Sequence, residues 1–363
     1  MILKPGRSVA MRTLLIKINA ARPEKRKIRA VASILRRGGI VVFPTETVYG
    51  IGANALNGEA CRKIFRVKRR AADNPLIVHV SSLEMARRVC DIPSKYQKVI
   101  SDIWPAPLTI ITKSKSILPK VVTAGLETAA VRMPANRIAL ELINECGFPI
   151  AAPSANISTK PSATSALHAL GYFKGKVAAI IDGGNASYGI ESTVLDLRTF
   201  SILRPGAFTA EEIKKSFGKS PRIASAYKLK ANSAPISPGT KYKHYAPSTP
   251  LFLYVGRRGK IGSILSNIDD KFAFIGSPAS SEKMGKNVIR INIGSSKKEI
   301  ARNLFDSLIK LDYTGANFAV VEQQSSEGLG LAIRNRLLKA SSNRAFKTAK
   351  ELKKLILLYS IKD

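Results

Sequence analysis

Short β-branched runs alternate with stretches of helical apolar spacing along most of the chain, and one long interruption splits that alternation in two. In the first block, from Thr13 to about Gly218, residues 39–43, 76–80, 108–112, 129–133, 150–153, 177–181 and 194–197 read as strands. Helices fit between them: residues 59–68 carry Ala60, Ile64 and Val67 at helical spacing, residues 137–145 carry Ile138 and Leu142, and residues 211–217 read as a closing amphipathic turn or two. Such interleaving predicts an α/β domain with a mixed sheet. From residue 219 to about 248 the apolar rhythm fails, and Ser, Lys, Pro235, Pro238 and Gly239 give the composition of a linker. A second alternation then begins, with strands expected at 251–255, 272–276, 288–293 and 318–322 and helices at 260–268, 298–311, 329–339 and 345–358. That pattern predicts a smaller, Rossmann-like domain. The expected division is 11–218, 219–248 and 249–363, with the residues before Met11 dispensable.

A chain of 363 residues with 45% apolar content can bury two modest cores. No apolar stretch approaches the roughly 20 residues of a membrane-spanning helix, and Lys17 interrupts the only short N-terminal run, so a cytoplasmic protein is expected. Cys61, Cys90 and Cys146 are widely spaced and read as buried thiols, neither a disulfide framework nor a zinc site. The 59 Lys and Arg against 25 Asp and Glu leave a net charge of +34, which implies affinity for polyanions. The basic residues are spread along the chain without interleaved aromatic ladders, so charge alone assigns no function.

Whole classes of mechanism are missing from the sequence. There is no P-loop and no His-Glu-x-x-His, and three histidines, His79, His168 and His244, are too few for a multi-histidine metal site. Gly328-Leu329-Gly330 reads as a helix-entry turn, since the third glycine of a dinucleotide fingerprint is replaced by Ile333. What stands out is a set of polar residues at predicted strand ends, where α/β sheets bind ligands. Pro44-Thr45-Glu46-Thr47-Val48-Tyr49-Gly50 follows one strand, and Lys68-Arg69-Arg70 precedes Asn74 to His79, which ends another. Arg132 sits near the end of an apolar strand, where a buried guanidinium must meet a carboxylate or phosphate. Ala152-Pro153-Ser154-Ala155-Asn156, Glu191-Ser192-Thr193 and Arg204-Pro205-Gly206 add small residues, hydroxyls and another cation.

In this order, together with Ser237-Pro238-Gly239-Thr240-Lys241-Tyr242-Lys243-His244-Tyr245-Ala246-Pro247, these motifs closely resemble the Sua5/YrdC/YwlC family of threonylcarbamoyl-AMP synthases in its longer Sua5 form. The resemblance implies a YrdC-like twisted mixed sheet with a concave basic cleft, followed by the Sua5 domain. The family's Lys-x-Arg and Ser-x-Asn pairs fall on Lys68 and Arg70 and on Ser154 and Asn156. By the same resemblance Arg70, Asn74, Thr128, Ser154, Ser162, Arg204 and Tyr245 are expected to contact ATP, and Thr45, His79, Arg132, Ala152 and Ser192 to contact L-threonine. Ala71 stands where the family often has proline.

The family's reaction joins threonine, bicarbonate and ATP into threonylcarbamoyl-AMP, the precursor of N6-threonylcarbamoyladenosine at A37 of ANN-decoding tRNAs. It needs no enzyme nucleophile, only positioning and charge stabilisation of a carbamate beside a triphosphate. Magnesium is expected with the ATP, held by the nucleotide and water. A downstream threonylcarbamoyl-transferase complex is the expected recipient. The long linker is expected to close over the cleft as a lid carrying Tyr245. A competing reading of the charge is a double-stranded RNA or ribosome-binding module; weak RNA or tRNA binding is compatible with both. A carbamoyltransferase of hydrogenase maturation would require zinc-finger cysteines and an acylphosphatase module, which this chain lacks.

Overall fold

The computed structural model describes residues 12–224 and 245–360, except 258, 267, 269, 282, 283, 286 and 287. Residues 1–11 and most of the expected lid, residues 225–244, lie outside the described residues. Among the described residues the first strands in chain order are β1 (Leu14–Lys17), β2 (Val41–Phe43), β3 (Gly50–Asn54), β4 (Ile77–His79), β5 (Cys90–Asp91) and β6 (Leu108–Ser114). They continue with β7 (Thr128–Arg132), β8 (Ile150–Ala151), β9 (Ala179–Asp182), β10 (Thr193–Asp196), β11 (Ser201–Arg204) and β12 (Arg222–Ile223). All join one sheet in the order β1-β9-β2-β3-β8-β4-β7-β6-β10-β11-β12, with β5 on β6. The sheet is mixed: β4 runs parallel to β7, while β3 and β4 run antiparallel to β8 and β6 antiparallel to β7.

Strands β2, β4, β7 and β10 are buried at every position, which is why the sequence shows them as continuous apolar runs without alternation. Helix Lys25–Arg36 buries Ile28, Val31, Ala32 and Leu35, one helical stripe, and packs on helix Arg137–Cys146. Asn57 and Asn136 cap their helices by accepting from Ala60 N and Ala139 N, and Thr209 with Glu212 forms a capping box. The three thiols are buried. No helix among the described residues is long and apolar enough to cross a membrane.

The second sheet contains β13 (Leu251–Tyr254), β14 (Phe272–Gly276), β15 (Val288–Asn292), β16 (Phe318–Glu322) and β17 (Ala345–Phe346). Its order is β15-β14-β16-β13-β17 and every pairing is parallel. One expectation is corrected here. Residues 345–358 do not form one helix: Ala345 and Phe346 pair with β13, and the helix is Ala349–Ser360. Phe346 is buried against Tyr254, ring centroids 5.5 Å apart, while Thr348 Oγ1 accepts from Glu351 N at 3.3 Å, a cap that sets the helix start.

The two units pack together. Val48, Ile190, Ala207 and Tyr245 share one apolar cluster with Leu304, Phe305 and Leu308 of helix Lys297–Leu311. Around it His168 Nε2 lies 3.2 Å from Asp306 Oδ1, and Gly328 N donates to Glu211 Oε1 at 3.2 Å. Gly189, at φ +70°, lies so close to the same helix that a Cβ would sit 2.3 Å from the Arg302 carbonyl oxygen. Only glycine combines that backbone angle with that approach.

Candidate active site

Parallel pairing of β4 with β7 sets His79 beside Arg132 at the carboxyl ends of both strands. The loop after β2 folds toward them on its own hydroxyls: Thr45 Oγ1 donates to the Val48 carbonyl at 2.6 Å and lies 2.9 Å from Thr47 Oγ1. Arg132 Nη1 donates to Thr47 Oγ1 at 2.9 Å, and its Nη2 lies 2.5 Å from Glu46 Oε1. Arg132 thus meets the anion its burial demands, a carboxylate of the same loop. Burial, then the Arg132 charge, push His79 down to about 3, so its imidazole is neutral at physiological pH.

Lys68 ends helix Gly58–Lys68, and Arg69 follows in the left-handed region at φ 52°. The Lys68 side chain is buried, and its Nζ donates to the carbonyls of Ser154 at 2.5 Å and Asn156 at 2.6 Å. Burial first, then the neighbouring Arg70, hold Lys68 well below the usual lysine range. Ser154 Oγ donates to Asn156 Oδ1 at 2.6 Å, and the Asn156 amide donates to the carbonyls of Ile157 and Lys160. Lysine, hydroxyl and amide therefore fix the loop after β8 as one unit, joined to β3 through the Gly50–Ser154 bridge. Arg70 Nη2 donates to the carbonyls of Asn74 and Pro75, both at 3.2 Å.

Arg204, at the end of β11, is buried and donates from Nη2 to the Ser192 carbonyl at 2.9 Å and to Ser192 Oγ at 3.1 Å. Ser192 Oγ lies 2.8 Å from Thr109 Oγ1. Gly206 lies against the Ser192–Thr193 backbone, where a Cβ would come within 2.3 Å of the Ser192 carbonyl carbon. Beside them Glu191 is held at about 2: burial pushes its carboxyl up, but Arg336, Arg204 and the Ser162 hydroxyl outweigh it. Burial and the Glu191 charge raise the Tyr245 phenol, whose ring packs 5.0 Å from that of Phe305.

These segments surround one cleft enclosing about 690 Å³, part of it open to solvent. Its wall includes Lys68, Arg70, Ser154, Asn156, Arg204 and Tyr245 together with Thr45, His79, Arg132, Ala152 and Ser192. The cationic and hydroxyl residues expected from separate strand ends do converge. Three expected residues lie outside the cleft wall. Thr128 stands at the opposite end of β7 from Arg132, Ser162 sits behind the wall and donates to Glu191 Oε1 at 2.7 Å, and Asn74 is buried beneath Arg70. Thr47 and Glu191 belong to the motifs but were not among the expected contacts, and both line the cleft. Arg336, in helix Leu329–Ala340 of the second unit, was not expected at all, although its Nε donates to Glu191 Oε2 at 3.0 Å. Its signal in the sequence is an arginine on the apolar stripe Ile333, Leu337, Ala340.

Residues 33–206 match the family model described as Telomere recombination, and residues 208–342 match that described as Threonylcarbamoyl-AMP synthase, C-terminal domain. The chain is 44% identical over 340 residues to the threonylcarbamoyl-AMP synthase of Pyrococcus abyssi, covering 92% of this chain and 99% of that one. It is 40% identical over 329 residues to that of Bacillus subtilis, covering 88% and 94%. The crystal structure of P. abyssi Sua5 complexed with L-threonine superposes with a TM-score of 0.86 at 44% identity, covering 93% of this chain and 100% of that chain.

Proposed function

The chain belongs to the two-domain Sua5 form of the threonylcarbamoyl-AMP synthase family, and from that premise we propose that it is a nucleotidyltransferase making threonylcarbamoyl-AMP and pyrophosphate from L-threonine, bicarbonate and ATP. The observation that carries this reading is the meeting of Lys68, Arg70, Arg132 and Arg204 with Ser154, Asn156 and Ser192 in one cleft. The threonine amine takes up the carbon of bicarbonate, with loss of water, as a carbamate. A carbamate oxygen then forms a bond to the α-phosphorus of ATP while the bond to the bridging oxygen breaks, and pyrophosphate leaves with that electron pair.

Each step brings anion to anion, so the protein's share is fixed positive charge and alignment. Arg132, already oriented by Glu46 and Thr47, presents a planar fork suited to the threonine carboxylate. Neutral His79 beside it adds no second positive charge that would trap the carbamate. Arg70 and Arg204 face the phosphates, and Lys68 acts through the Ser154–Asn156 loop it holds. Magnesium would come with the nucleotide and would supply charge neutralisation at the phosphates; the cleft's Glu191, already taken by Arg336, would not hold it. The product is a mixed anhydride suited to a transferase that moves the threonylcarbamoyl group to A37 of ANN-decoding tRNAs in the cytoplasm.

The test is pyrophosphate release from ATP and magnesium by the purified chain. Release is expected only when threonine and bicarbonate are both present; release indifferent to either rejects the proposal.

A further inference from the structure

Arg336 is fully buried in the second unit, and it reaches across the interface to both chain segments that form one wall of the cleft. Its Nε donates to Glu191 Oε2 at 3.0 Å and its Nη1 to the Pro205 carbonyl. Glu191 is thereby fixed from two sides, since its Oε1 accepts from Ser162 Oγ at 2.7 Å and its carbonyl accepts from Ala207 N at 3.0 Å. These contacts tie residues 189–193 to residues 204–207, the stretches that carry Ser192 and Arg204, and Arg204 itself donates to the Ser192 carbonyl. Glu191 also lies close enough to Tyr245 for its charge to add to burial in raising the phenol. A fully buried guanidinium is costly unless a carboxylate meets it, and here the carboxylate belongs to the other unit's site.

We propose that Arg336 is a positioning residue for the cleft, acting through Glu191 on Tyr245, Ser192 and Arg204, so that the second domain is part of the active site and not only a support for the linker. The inference rests on the function proposed above. The charged and titratable groups around Glu191 are Arg336, Arg204, Tyr245, Lys68 and Lys339, the last pushed down to about 7 by burial and by the two arginines. Without Arg336, burial acts on Glu191 with less opposition, and its carboxyl takes up a proton at higher pH.

The test uses the full chain carrying Arg336→Met, with pyrophosphate release followed from pH 5.5 to 8.5 while ATP and threonine are varied. The expected result is a loss of about tenfold to a hundredfold in kcat/KM for ATP, a smaller change in the KM for threonine, and a deficit that deepens as pH falls. Adding Glu191→Gln to the same variant removes that acid limb, whereas a limb due to Lys339 would persist. Arg336→Lys keeps the charge but not the fork, so it shows a smaller loss and no new acid limb; this variant carries the test if Arg336→Met does not fold. A folded variant within twofold of the unaltered chain at every pH, or a loss uniform across pH, overturns the proposal. Absence of threonine-dependent turnover in the unaltered chain would instead reject the function. Hydrogen exchange then still tests the clamp: the amides of residues 190–193, 206 and 207 should exchange faster in Arg336→Lys, and unchanged exchange overturns it.

Discussion

Replacing Lys68 with methionine tests whether a buried lysine shapes the nucleotide end of the cleft. Methionine fills much of the same space but cannot donate, so the Ser154 and Asn156 carbonyls lose the bonds they accept from Nζ. A buried carbonyl left without a donor costs about 1–3 kcal/mol. Removing a desolvated ammonium returns part of that sum, leaving a net destabilisation of about 1–3 kcal/mol. At about 2–4 °C per kcal/mol for a domain of this size, the melting midpoint should fall by about 2–12 °C. The loss also has a pH signature. Burial, then Arg70, lower the folded pKa of Lys68 below the usual 10.5. Between those two values the unfolded chain binds a proton that the folded chain does not, so the unaltered protein gains stability as pH rises through that window and loses that gain as pH falls. The variant lacks the group, and its deficit should widen toward alkaline pH. Loosening of the Ser154–Asn156 loop should cost about a hundredfold in kcat/KM for ATP. Thermal unfolding across a pH series, with steady-state kinetics on the same samples, provides the measurement. An unchanged or raised midpoint together with an unchanged KM for ATP would refute the reasoning.

Arg132→Lys keeps the charge beside Glu46 but loses the fork, so the KM for threonine should rise about tenfold or more while the KM for ATP moves little; equal effects on both substrates in steady-state kinetics would contradict the assignment. Since His79 is held at about 3, the kcat/KM profile from pH 5 to 8 should carry no inflection from its imidazole, and an inflection abolished by His79→Gln would be the contrary result. Folding stability linked to His79 is complete above its ordinary value of 6.5 and is lost as pH falls toward 3, because the unfolded chain takes up the proton first. Gly189→Ala introduces a side chain at φ +70° against the Arg302 backbone, which should destabilise the chain by about 2 kcal/mol or more; an unchanged melting midpoint would show that the two units do not pack there in solution.

The strands that carry the cleft were legible because β2, β4 and β7 are short, wholly buried apolar runs followed at once by polar residues. The next strand was hidden: Gly50-Ile51-Gly52-Ala53-Asn54 contains two glycines and reads locally as a turn, and it becomes β3 only through pairing with β2 and β8. Helix Lys25–Arg36 was masked by the basic run 22–27, although its buried stripe obeys the helical period. At the other end of the chain, Thr348 and Glu351 spelled a helix start inside a stretch whose apolar spacing suggested an earlier one. Within the site, the motifs gathered most of the cleft wall but not its partners across the interface. Arg336 carries no motif, and nothing local says that a side chain 145 residues away will meet Glu191. Thr128 shows the converse, since the contact expected of it does not reveal that it lies at the far end of the strand from Arg132.

Mass spectrometry of the purified chain incubated with L-threonine, ¹³C-labelled bicarbonate, ATP and magnesium addresses most directly whether this cleft joins a carbamate to a nucleotide. A threonylcarbamoyl-adenylate carrying one heavy carbon, formed alongside pyrophosphate and strongly reduced in Arg204→Ala, is the expected result. Pyrophosphate or AMP accumulating without that labelled adenylate would contradict it.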